Sequence, residues 1–147
     1  MKSGKVVQFS IARVLTDQFA LIEKAFSESE SINLNTNLRF AIDRDQRLVV
    51  VSTLFKFEQK DIPFLIVEVS CQFLISSESW SAFLKDETTT VIPKDFMTHL
   101  GMITVGTARG VLHTKTEGTK FNEFVLPTIN VNDMVREDVV FNETAQP

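Results

Sequence analysis

Cysteine is all but missing from this chain. Cys71 stands alone, so no internal disulfide can form, and a reducing compartment is expected. Tyrosine is absent, tryptophan occurs once (Trp80) and histidine twice. His99 and His113 fall on one stretch of predicted helix, about 21 Å apart along its axis and too far apart to share a metal. Cys-x-x-Cys and His-x-x-x-His pairs are missing, and Gly101, Gly106 and Gly110 lack the Gly-Lys-Ser/Thr element of a phosphate loop. No catalytic residue, metal site or cofactor is therefore expected. Basic charge is scarce too. A net charge of −4 and a pI near 5.2 leave no basic stripe for nucleic acid. The longest apolar run, residues 64–69, has the length of a strand and contains Glu68, so membrane insertion is not expected. The opening MKSGKVVQFS has no apolar signal core, and the expected location is the cytoplasm.

Phenylalanine is present in excess, with 13 copies. It carries apolar area with no polar handle, so the surplus serves a core or an apolar binding surface. At 147 residues the chain is expected to form one domain, residues 1–135, followed by a flexible C-terminal tail, residues 136–147.

Strand patterning fills the first half. Residues 6–15 alternate, with Val7, Phe9, Ile11 and Leu15 on one side. Residues 17–26 fit either a continued strand or a short helix. Residues 32–43 alternate most cleanly, with Leu34, Leu38, Phe40 and Ile42 opposite Asn33, Asn35, Asn37 and Arg39. Residues 47–57 and 63–76 add two more strands with short connections. An antiparallel meander results, and the first strand completes a four-stranded sheet. Residues 78–91 hold a short helical piece with Trp80 and Phe83, followed by a polar run.

One long helix follows, about 25 residues and 37 Å. Pro93 suits its first position and Asp95 the positive end of its dipole, while Gly118 can terminate it in a left-handed conformation. At 100° per residue, Phe96, Leu100, Ile103 and Val111 share one side, with Met97, Val105, Ala108 and Leu112 beside them. The apolar arc is about 200° wide, and an ordinary surface helix needs only about 100°. The helix is thus expected to bury two surfaces, one on its own sheet and one on a partner, with its three glycines permitting close approach of a neighbouring helix. The pattern predicts an α+β fold: a four-stranded antiparallel sheet with one long and one short helix packed on one face.

Cys71 falls on the apolar side of a strand, where a buried, inert thiol is expected. Glu68, between two valines, reads as the solvent side of that strand. Trp80 and Phe83 before the helix, and Phe121, Phe124, Leu126 and Ile129 after it, lie on connections. Connections usually run at the surface, so these residues can line an apolar groove or fold down as lids on the core. The residues leave both open.

The order of these elements resembles the SecB-type protein-export chaperones. The likeness lies in Phe9-Ser-Ile-Ala-Arg-Val-Leu-Thr, in Phe40-Ala-Ile, in Phe64-Leu-Ile-Val-Glu-Val-Ser-Cys-Gln-Phe-Leu-Ile, in the proline-led helix reaching Arg109-Gly110, and in the loop pattern F-x-x-F-x-L-P-x-I-N-V from Phe121 to Val131. It implies a SecB-like fold assembled as a homotetramer, a dimer of dimers whose long helices pack together, here through Phe96, Leu100, Ile103 and Val111. It also implies an ATP-independent holdase that takes non-native polypeptide clients in long apolar grooves, with Phe57, Phe64, Trp80, Phe83, Phe121, Phe124, Leu126 and Met134 as wall residues. Protein export and docking to the motor SecA belong to that picture, although export forms are much more acidic than −4. Two other readings stand beside it: a dedicated SecB-like chaperone of a single partner such as an antitoxin, and a small-ligand-binding protein using the sheet–helix cleft.

Overall fold

A computed structural model describes residues 6–143. Four strands form one antiparallel sheet in the order β1-β4-β3-β2: β1 (Phe9–Leu21), β2 (Asn33–Asp43), β3 (Leu48–Gln59) and β4 (Ile62–Ile75). The expected α+β architecture is present. Residues 17–26 divide between the two readings left open, with β1 running on to Leu21 and a 3-10 turn at Glu23–Ala25. β3 and β4 are joined by a two-residue turn in which Lys60 and Asp61 both take positive φ, the conformation that matches the twist of a hairpin.

Cross-strand pairs assign the faces. Phe57, Phe55, Thr53, Val51 and Val49 on β3 stand opposite Leu65, Val67, Val69, Cys71 and Phe73 on β4, and all ten are buried. This face meets α2 (Lys94–Thr116), which packs on β3 and β4. Cys71 is buried there, as its strand position predicts. The opposite face is left to solvent and carries a polar ladder. Arg39 Nη2 donates to Glu68 Oε2 at 2.8 Å, Ser52 and Ser70 share a hydrogen bond of 2.9 Å, and the Ser70 hydroxyl donates to Asp17.

The helix differs from expectation in three ways. Pro93 is the N-cap rather than the first helical residue, and the helix has 23 residues. Thr98, a polar residue that the apolar arc does not include, is buried. Gly101 does permit close approach, but of this chain's own Val131; Gly106 and Gly110 face open space. Gly118 takes φ 80°, the left-handed conformation expected of a terminator.

Two segments read as irregular are ordered. After α1 (Ser77–Phe83), the run Thr-Thr-Val-Ile forms β5 (Thr89–Ile92), consistent with its β-branched content. Residues 136–143, read as flexible tail, include β6 (Val139–Asn142), which pairs antiparallel with β5. Val139 and Phe141 turn toward the core while Val140 stays outside, a period-2 pattern that the tail reading overlooked. The rest of that expected tail, 144–147, lies outside the described residues. Before β5, Asp86 accepts from the backbone N–H groups of Thr88 (2.8 Å) and Thr89 (2.9 Å). The Thr88 N–H foremost holds its carboxyl below the ordinary carboxylate range, so this turn is most stable at neutral pH and loosens as acid protonates Asp86.

The glycines supply a stability test. A Cβ on Gly101 would sit 2.9 Å from Val131 Cγ1, on a stiff and buried valine. Urea unfolding should show Gly101→Ala destabilised by about 1 kcal/mol despite its gain in helix propensity, and Gly106→Ala and Gly110→Ala stabilised by about 0.5–1 kcal/mol. Equal responses at all three positions would refute the assigned contact.

Candidate functional site

The expected groove residues do not converge on one groove. They fall into aromatic clusters at opposite ends of the sheet. At one end Trp80 and Phe83 pack edge-on at 6.2 Å, Phe83 meets Phe96 at 5.8 Å, and Phe96 meets Phe9 at 5.4 Å. At the other, Phe64 lies 6.1 Å from Phe121 and 5.4 Å from Phe124, with Phe57 5.7 Å from Phe124. Phe64 and Phe73 mark the two ends on β4, about 30 Å apart at the usual strand rise. Phe57, Phe64, Trp80, Phe83, Phe121 and Leu126 are all buried in the subunit. For these the alternative of lids folded onto the core describes the geometry. Phe124 and Met134 keep free area.

Sequence reasoning missed Phe26, which joins the second cluster at 4.9 Å from Phe64 and 5.2 Å from Phe121. Beside it is a cleft of about 520 Å³ lined by Phe26, Ile32 and Phe124, with Glu28, Lys120 and Glu123 on its rim. Lys120 lies over the Phe26 and Phe121 rings, 5.3 Å from each centroid. The signal that could have found this cleft is the apolar pair Phe26 and Ile32 bracketing the polar run of residues 27–31.

A cleft of about 640 Å³ runs along the free edge of β2 between residues 40–45 and 140–143. A second, about 540 Å³, continues from Phe40 and Val140 past Met134 and residues 135–139. Arg44 closes one end, its Nη1 donating to Glu143 Oε2 at 2.7 Å and to the Glu87 carbonyl at 2.9 Å. Outside these clefts, Arg109 of α2 donates from Nε to the Leu126 carbonyl (3.2 Å) and from Nη2 to the Pro127 carbonyl (3.0 Å). The chain after α2 is thereby tied to the helix, while Phe121, Leu126, Val131 and Val135 are buried in the core. A smaller cleft of about 360 Å³ lies between Val7 and α1.

The helix positions expected at a contact between copies are also divided. Leu100 is 0% exposed, enclosed between helix and sheet, and has no area to offer a partner. It belongs with Met97, Ala108 and Leu112 on the sheet-facing side. Phe96, Ile103 and Val111 are half-buried. Next to them, on the helix side of β1, Ile11 is 50% and Val14 46% exposed, so a strip of apolar sheet is left uncovered. Among the described residues no group of three or more His, Cys, Asp or Glu side chains is placed to hold a metal ion, and no helix is long and apolar enough to cross a membrane.

No protein-family model matches the chain, and no curated protein sequence matches it significantly. Among solved structures, it is similar to a SecB-like chaperone from Mycobacterium tuberculosis, solved in complex with a peptide from the HigA1 antitoxin. The TM-score is 0.51 at 12% identity, over 82% of this chain and 90% of that one. A protein of unknown function from Streptococcus agalactiae aligns with a TM-score of 0.35 at 13% identity, over 85% of this chain and 98% of that one. The first similarity places the fold with that of a SecB-like chaperone.

Arg109→Ala should free the Leu126 and Pro127 carbonyls and cost about 1–3 kcal/mol. Hydrogen exchange should speed up in residues 120–135 while β3 and β4 stay protected. Unchanged exchange in that loop would remove Arg109 from this role.

Proposed function

We propose that this protein is an ATP-independent chaperone that holds non-native polypeptide. The observation that carries the reading is the placement of partly exposed apolar side chains, Phe26, Ile32, Phe40, Ile42 and Phe124, on the floors of open clefts. Open clefts of this kind suit extended chains of varied sequence better than one compact ligand. The space between α2 and the sheet is filled by side chains, which argues against a small molecule bound there. The likeness to a SecB-like chaperone solved in complex with an antitoxin peptide supports the same reading.

The narrower variant, a chaperone dedicated to one client such as an antitoxin, has one observation in its favour over export. The solvent face of the sheet mixes Arg13, Arg39 and Lys56 with Asp43, Glu58 and Glu68, and so presents no uniformly acidic platform for SecA. For assembly, the uncovered strip formed by Ile11 and Val14 on β1, with Phe96 and Ile103 on α2, fits a second copy of the chain and a homo-oligomer built on it.

Purified protein should suppress aggregation of a chemically unfolded client without ATP, and Phe124→Ser with Ile32→Ser should weaken the effect severalfold. Full suppression by that double variant, or none by the parent protein, would sink the reading. For assembly, Ile11→Asp with Ile103→Asp should lower the mass seen by light scattering while the subunit stays folded. Leu100→Asp should instead unfold the subunit, since it buries a charge among core side chains.

A further inference from the structure

We propose that the β5–β6 unit is an acid-released flap, held at neutral pH by carboxylates at three joints and freed when they take up protons. Its release uncovers Val139 and Phe141, which pack on the core, together with Phe40 and Ile42 beside them. More apolar area is then offered to a client. That consequence rests on the polypeptide-binding reading, and the release does not. The unit is built to be separable. β5 and β6 form a sheet of their own, four residues in each strand, with no strand pairing to the main sheet. Two strands alone are marginal in water, so this pair depends on its attachments. Thr90 of β5 adds a cost, because its buried hydroxyl has no hydrogen-bond partner among the described residues.

Each joint is made by one carboxylate. Ahead of β5, Asp86 accepts from the N–H groups of Thr88 (2.8 Å) and Thr89 (2.9 Å) and from Thr88 Oγ1 (3.1 Å). Ahead of β6, Asp138 Oδ1 accepts the Lys94 N–H at 2.8 Å and so caps α2, whose own N-cap residue, Pro93, makes no side-chain cap. At the end of β6, Glu143 Oε2 accepts from Arg44 Nη1, which also holds the Glu87 carbonyl. These bonds are strongest with the carboxylates ionised. Other charged groups stand close to the joints. Asp43 and Asp45 flank Arg44 on the turn between β2 and β3, Lys85 and Glu87 flank Asp86, Lys94 and Asp95 open α2, and Arg136 and Glu137 precede Asp138. With the acids neutral, Arg44, Lys85, Lys94 and Arg136 lose their counter-charges. Neither histidine belongs to the unit or its joints, which puts the release in the carboxylate range. The Thr88 N–H foremost holds the Asp86 carboxyl below its ordinary value. Its support is therefore complete at neutral pH and is lost as the pH falls below about 4.

The test is amide hydrogen exchange of the full chain from pH 7 down to pH 3.5, after allowance for the effect of pH on intrinsic exchange. Residues 89–92 and 139–142 should open about tenfold more readily in acid while β3 and β4 stay protected. If the two small strands lose protection only together with β3 and β4, the molecule unfolds as one and the flap is wrong. A variant carrying Asp86→Ala, Asp138→Ala and Glu143→Ala should show the same local opening at pH 7. Full protection of β5 and β6 in that variant would also overturn the proposal. With the flap open, the variant should hold a chemically unfolded client at pH 7 severalfold better than the parent. Opening without that gain overturns the regulatory role. If opening is seen but neither protein holds a client, the chaperone reading falls and the flap stands.

Discussion

A single helix is too narrow for the sheet beneath it. With side chains α2 is about 10–12 Å across, and four strands at roughly 4.8 Å spacing make a broader surface. The helix therefore lies on β3 and β4, where every inward residue from Val49 to Phe57 and from Leu65 to Ile75 is buried, and the flanks are left to other means. Toward β2, the chain after α2 closes most of the gap through Phe121, Leu126, Val131 and Val135. Toward β1, Ile11 and Val14 keep about half their surface in water. The clefts and the apolar strip both follow from this mismatch of widths.

Two arginines tie segments of the chain together by polar contacts. Arg109 suspends residues 126 and 127 by their carbonyls, and Arg44 fixes the end of β6 against the turn between β2 and β3. Phenylalanine ties down the two ends: Phe83 of α1 meets Phe96, which packs edge-on with Phe9 of β1, and Phe124 of the post-helix loop packs edge-on with Phe64 of β4. A frame pinned at its ends can expose apolar area along its side without collapsing onto it. Binding non-native chains requires that combination.

The sequence made the four strands, the long helix and the buried Cys71 legible because each has strong periodicity over many residues. The β6 strand was lost because four residues are too few for alternation to stand out near a chain end, and its pairing with β5 spans about fifty positions of sequence. The helix arc was read as wider than one sheet requires, but spacing alone could not say which apolar residues the sheet would take. Leu100 went inward and Ile103 stayed at the flank because the sheet approaches from one direction only. The groove residues were the least legible. An aromatic on a connection is equally suited to wall or lid, and Phe121 and Trp80 became lids, with Phe57 and Phe64 buried beneath on their strands, while Phe26 and Phe40 took cleft positions.

Hydrogen–deuterium exchange of the protein with and without a permanently unfolded, reduced client tests the central claim most directly. The account predicts that the client slows exchange in residues 26–43 and 120–143, the stretches that form the clefts, and leaves the already protected β3 and β4 unchanged. A client that slows exchange nowhere, or only on the solvent face of the sheet, would contradict it.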